Sequence, residues 1–280
     1  MKKALLAVLS FLLITQLLAG LAIVAVALVL KIDIVDGPPP TLLGVMLILT
    51  YMLATLVCWK VLKVLEIPAT FRTTGIKWGW ALVAIVASVF GIMAGDLLSE
   101  QMNLPNLIEN MVLDMAYNNW GILAIAVLGP IVEELIFREG VCGNLIRNGM
   151  NPWKAIWISS ILFGLIHFNP AQVPFAILMG IILGMIYVKT GNIVVTSIIH
   201  ILNNSFAIVL VRVLGDDAKD FSLTEWIGGN WIAGVCIIAG FSLCFYLIRM
   251  FWESNPTLAL PEGEGELPTP NPTQRGREIR

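Results

Sequence analysis

Eight apolar runs follow one another along this chain: 4–30, 42–59, 78–98, 120–138, 155–168, 172–188, 192–212 and 230–250. A helix needs about 20 apolar residues, within a range of roughly 17–25, to cross a ~30 Å hydrocarbon core. The spacing of these runs therefore predicts a series of membrane crossings. Composition supports this, because 13% of the 280 residues are charged and 58% are apolar. A soluble domain carries about 25% charge and could not cover its surface with so little. A water-soluble enzyme and a disordered chain are excluded. A nucleic-acid binder is excluded as well, since the net charge is −2 and such a protein needs a strongly basic face.

The expected fold is an all-α polytopic membrane protein of about eight transmembrane helices, occupying residues 1–252. The first run follows Lys2-Lys3 and contains Ala25-Val26-Ala27, so a cleaved signal sequence is the alternative there. The run is much longer than the roughly 7–15 residues of a signal core, which favours a retained span. The run at 155–168 is short and is expected inside the bundle. Eight spans place both termini in the cytoplasm, and every Lys and Arg except Lys31, Arg212 and Lys219 then falls on or near that side, as the positive-inside rule requires. The acids Asp33, Asp36, Glu100, Glu109, Asp114, Asp216, Asp217, Asp220 and Glu225 fall on the other. From 253 to 280 the apolar pattern stops, and Pro256, Pro261, Pro268, Pro270 and Pro272 mark a disordered cytoplasmic tail. Cys58, Cys142, Cys236 and Cys244 have neither zinc-site nor C-x-x-C spacing and read as packing residues.

Ionisable groups inside such runs are expensive and mark function. Glu134 and Arg138 lie four apart in the fourth run, hence on one helix face where they can pair. Glu133 is turned about 100° away and is expected to stay free. Pro130 removes a helix hydrogen bond just upstream. Snorkelling of both acids into water at a helix end is the competing reading. The chain has 2 histidines, His167 and His200, both in apolar runs, and Asn204 follows His200 on the same face. Desolvating all these groups is costly unless they meet in a shared inner polar cavity. A rise of 1.5 Å per residue puts Glu133 and His200 roughly 10 and 12 Å from the inner boundary, but His167 roughly 18 Å away.

Three motifs lie in order on separate runs: Glu133-Glu134-Leu135-Ile136-Phe137-Arg138, then Phe163-Gly164-Leu165-Ile166-His167, then His200-Ile201-Leu202-Asn203-Asn204. The set, within 120–212, resembles the CPBP family of CAAX-processing and bacteriocin-processing (Abi) intramembrane proteases. The resemblance implies hydrolysis of a peptide bond in a membrane-associated protein or peptide. It makes Glu133 and His167 the groups that activate water, and His200 and Asn204 the donors to the oxyanion. Glu134 with Arg138 would be structural support. No cofactor is expected for a glutamate-activated water. The alternative is a zinc site built from Glu133, His167 and His200, which can leave an open catalytic position. The expected partners are the substrate and the lipid bilayer, with no nucleic acid. Two other readings remain, a proton- or ion-coupled transporter and a non-catalytic membrane immunity or scaffold protein.

Overall fold

The computed structural model describes residues 1–32, 38–67, 71 and 77–254. The 253–280 tail lies outside these residues except for Glu253 and Ser254, which close the last helix. Asp33, Asp36 and Arg72 also lie outside them. Among the described residues the chain is helical, with no strand.

Among the described residues seven helices are long and apolar enough to cross a membrane: α1 (Lys2–Leu30), α2 (Pro40–Val61), α3 (Trp78–Gln101), α5 (Asn119–Arg147), α7 (Val173–Thr190), α8 (Ile193–Leu214) and α9 (Asn230–Ser254). Between them lie the short α4 (Glu109–Ala116) and the 14-residue α6 (Pro152–Leu165). The expected eight runs are thus seven long helices and one short one. Two boundaries differ from the expectation. The fourth run does not stop at 138 but continues as α5 to Arg147. The fifth ends as a helix at Leu165, which leaves His167 on the turn beyond it.

Local chemistry sets the starts of these helices. The side chains of Asn118, Asn151 and Asn192 accept hydrogen bonds from the first free N–H groups of α5, α6 and α8, as N-caps do. Pro40, Pro152 and Pro174 sit in first turns, where no N–H is needed. At the other end of α7, Gly191 closes the helix with φ +62, a conformation glycine adopts without strain.

Packing follows the rules of a membrane interior, where close approach of small residues matters more than apolar burial. α6 and α7 form a tight pair. A Cβ on Gly180 would lie 2.9 Å from the Cβ of Ser160, and one on Gly164 would lie 2.9 Å from the carbonyl oxygen of Val173. α5 is enclosed by α1, α2, α6 and α8, while α3 packs against α7 and α9. An aromatic chain crosses the core beside α5. Tyr51 stacks on Phe11 at 6.4 Å, Phe11 meets Phe137 edge-on at 6.0 Å, and Phe137 meets Phe163 at 5.4 Å. Such pairs contribute about 0.5–1.5 kcal/mol each beyond simple burial. The chain ends at the polar groups of α5.

Candidate active site

α5 is not a uniform α-helix. Leu123–Leu128 and Leu135–Gly143 have wider turns, closed by i→i+5 hydrogen bonds, and they flank the regular segment Gly129–Glu134. Wide turns of this kind often occur at functional positions. Pro130 explains part of the local geometry. Gly129 N–H donates to Ala124 O, five residues back. The same pattern would pair Ile125 O with the N–H of residue 130, which proline lacks. Asn204 of α8 fills the gap, its Nδ2 donating to Ile125 O at 2.9 Å. Its Oδ1 accepts from Asn203 Nδ2 at 3.0 Å. One amide hydrogen of Asn204 is therefore engaged, and the second is the one open to a ligand.

Glu134 and Arg138 meet as their spacing predicts. Arg138 Nε donates to Glu134 Oε2 at 2.9 Å, and Nη2 donates to Oε1 at 3.2 Å. Both side chains are 0% exposed, whereas Glu133 keeps 14% of its surface. Neither group of the ion pair snorkels, because α5 continues well past Arg138. The guanidinium also lies over the Phe163 ring, 5.0 Å from its centroid.

His200 links the two acids. Its Nδ1 lies 3.2 Å from Glu134 Oε1, and its Nε2 lies 3.6 Å from Glu133 Oε2. A carboxylate held by arginine can only accept, so His200 Nδ1 carries the hydrogen that it donates. Nε2 then presents a lone pair in the neutral ring and an N–H in the doubly protonated one. The depth estimate that grouped Glu133 with His200 agrees with this contact.

His167 is placed differently from its expected position within a span. Its Nδ1–H donates to Phe163 O at 2.8 Å, across the last turn of α6. A carbonyl accepts only, so the neutral ring keeps its lone pair on Nε2. Phe163 meets both imidazoles edge-on, His167 at 5.1 Å and His200 at 5.7 Å. The two histidines thus contact one aromatic ring.

The alternative zinc set does not assemble in this arrangement. Among the described residues no three His, Cys, Asp or Glu side chains are grouped to hold a metal ion. His200 turns its nitrogens onto two carboxylates, and His167 turns Nδ1 onto a backbone carbonyl.

Several participants were missed in the sequence. Phe163 belongs to a motif, yet its contact with two histidines and an arginine has no one-dimensional signal. A second buried charge group lies nearby. Arg147 Nη2 donates to Glu139 Oε1 at 2.7 Å, and the Tyr187 hydroxyl donates to Glu139 Oε2. Glu139 directly follows Arg138 and was visible as one more acid in an apolar segment. Tyr187 was not distinguishable from an ordinary aromatic residue. Asn144 ties the same region to the segment after α2 by donating to Val64 O at 2.7 Å.

An all-helical membrane bundle that gathers a buried acid, a half-buried acid, an arginine and a histidine belongs to the class of membrane proteins with an internal polar centre. Comparison with known proteins narrows the class. Residues 115–206 match the family described as type II CAAX prenyl endopeptidase Rce1-like. The chain is 30% identical over 146 residues to the membrane-embedded CAAX protease MroQ of Staphylococcus aureus, a match covering 50% of this chain and 58% of that protein. It is 32% identical over 89 residues to YdiL of Bacillus subtilis, named as a candidate membrane peptidase, covering 32% of this chain and 36% of that one. The chain thus spans less than two thirds of either relative. No solved structure gives a significant match. Over 115–206, a segment that includes Glu133, Glu134, Arg138, His167, His200 and Asn204, the chain is thus similar to CAAX-type membrane endopeptidases.

Proposed function

We propose that this protein is an intramembrane endopeptidase that hydrolyses a peptide bond in a membrane-associated protein or peptide. The observation that carries the reading is the unequal treatment of two neighbouring acids. Glu134 is sealed against Arg138 and His200, while Glu133 remains partly open, with His200 Nε2 at 3.6 Å. A partly open carboxylate in a poorly hydrated site suits general-base work.

Glu133 takes a proton from water, and the resulting hydroxide attacks the scissile carbonyl carbon. The free Nε2 of His167 orients that water or shares its proton. The uncommitted amide hydrogen of Asn204 donates to the oxyanion, joined by His200 Nε2–H when the ring is doubly protonated. Glu133 then returns its proton to the leaving amine as the C–N bond breaks. The products are a carboxylic acid and an amine. Glu134 and Arg138 hold His200 in register. The names of the family and of the S. aureus relative make C-terminal CAAX-type sequences the first substrates to try, both prenylated and free. The test is incubation of purified full chain with such peptides, with mass spectrometry of the products. A new C-terminus that forms with wild type and vanishes with Glu133→Gln supports the reading. Equal product from both would overturn it.

A further inference from the structure

We infer that Asn169 is a positioning residue for His167, acting by clipping the His167 turn to the 104–108 loop. The inference rests on the proposed role of His167 in handling water.

The need for a clip follows from helix length. At 1.5 Å per residue, the 14-residue α6 spans about 21 Å, some 9 Å short of a ~30 Å hydrocarbon core. The turn that follows it, 166–172, carries backbone N–H and C=O groups that need partners at such a depth. Asn169, in the middle of this turn, is fully buried and ties it to a neighbouring loop. Its Oδ1 accepts from Leu107 N–H at 2.9 Å, and its Nδ2 donates to Asn106 Oδ1 at 2.8 Å. Its backbone carbonyl accepts from Gln172 N–H at 2.9 Å and from Val173 N–H at 3.2 Å, which starts α7. Beside it, Ala171 N–H donates to Pro105 O at 3.2 Å. One side chain thus joins the loop after α3 to the hinge between α6 and α7.

Strain explains why the join matters for the histidine. Phe168, between His167 and Asn169, has φ +50, a left-handed conformation that is unfavourable for a bulky aromatic residue. Its ring is exposed and does not hold the backbone there. The conformation is instead fixed from both sides. His167 Nδ1–H is bound to Phe163 O upstream, and Asn169 is bound to the loop downstream. Once the downstream side is released, Phe168 relaxes to negative φ and the intervening peptide rotates. His167 then leaves the Phe163 carbonyl, and its Nε2 lone pair loses its fixed direction. A misplacement of about 1 Å in a reacting group is enough to cost on the order of 10²-fold in rate.

The 2 histidines of the chain make the test direct. Selective 15N-histidine labelling of the full protein in detergent resolves His167 and His200, assigned by single substitution. In wild type His167 should show the Nδ1–H tautomer alone. In Asn169→Ala we expect His167 to become a tautomer mixture while the His200 signals stay in place. In the same protein kcat should fall about 10²-fold with KM changed less than about twofold. Asn169→Asp should recover most of the rate. Its carboxylate still accepts from Leu107 N–H, and the Asn106 amide can turn to present its own N–H. Should Asn169→Ala fail to fold, Asn106→Ala removes one arm of the clip and should act in the same direction, more weakly. A folded Asn169→Ala protein with unchanged His167 signals and unchanged kcat would overturn the proposal. So would equal movement of both histidines, which marks a general loosening. Full turnover by a folded His167→Gln protein would instead overturn the role of His167 itself, a result independent of the ring signals.

Discussion

At the scale of single residues, adjacency in sequence gives opposite environments. Glu133 and Glu134 share a peptide bond, yet Glu134 is sealed against Arg138 and Glu133 is partly open. Glu134→Gln leaves a buried guanidinium without its counter-charge, a loss of about 3–5 kcal/mol. The expected outcome is a lower melting temperature and yield, with activity reduced through the displaced His200. Glu133→Gln keeps the shape and leaves the Glu134–Arg138 pair intact, so it should melt within a degree or two of wild type while losing turnover. Identical behaviour of the two variants in both assays would remove this division of roles. The same acid decides the metal question. If Glu133 is the base, extensively dialysed protein keeps its activity and contains far less than one metal per chain by elemental analysis. Activity that follows stoichiometric zinc out and back would make Glu133, His167 and His200 ligands instead. The Glu134–Arg138 pair was legible because an i,i+4 spacing is a local property of a helix. The bridging position of His200 was not, since it depends on how α8 docks on α5.

At the scale of the element, α5 is shaped by a missing hydrogen. Pro130 leaves Ile125 O without a donor, and Asn204 supplies one from α8. An unsatisfied buried carbonyl costs about 1–3 kcal/mol, so Asn204→Ala should lower stability by an amount in that range and should lower kcat about 10²–10³-fold through the lost oxyanion donor. Pro130→Ala restores a backbone N–H able to reach Ile125 O. The stability effect of Asn204→Ala should therefore shrink to near zero in a Pro130→Ala background, while its effect on kcat persists. Thermal melts across this double-mutant cycle isolate the coupling. Additive effects on stability would mean that Asn204 does not serve the proline gap. Sequence showed the proline and the asparagine separately. The bond that links them joins Asn204 to Ile125, 79 residues away in the chain, and has no periodic signature.

At the scale of the molecule, α6 fixes the topology. It packs along α7 through glycine contacts and is joined to it by the 166–172 turn, an arrangement that favours an out-and-back pair despite its short length. If α6 crosses, the termini share one side. Single cysteines at Lys2 and Ser254 should then label from the cytoplasm, and single cysteines at Leu104 and Lys219 from the other face, all in a Cys236→Ser background. Labelling of Lys2 and Ser254 from opposite sides would remove α6 from the set of crossings. The sequence by itself determined the all-helical membrane class, the order of the eight apolar runs and the i,i+4 ion pair of Glu134 and Arg138. These depend on run length, composition and helical spacing, which act over a few turns of chain. Tertiary structure alone decided that His200 touches both acids, that Phe163 contacts both histidines, and that His167 stands on a strained turn held by a distant loop. Those contacts depend on where helices far apart in sequence cross, and on which backbone groups a short helix leaves unpaired at depth in a membrane.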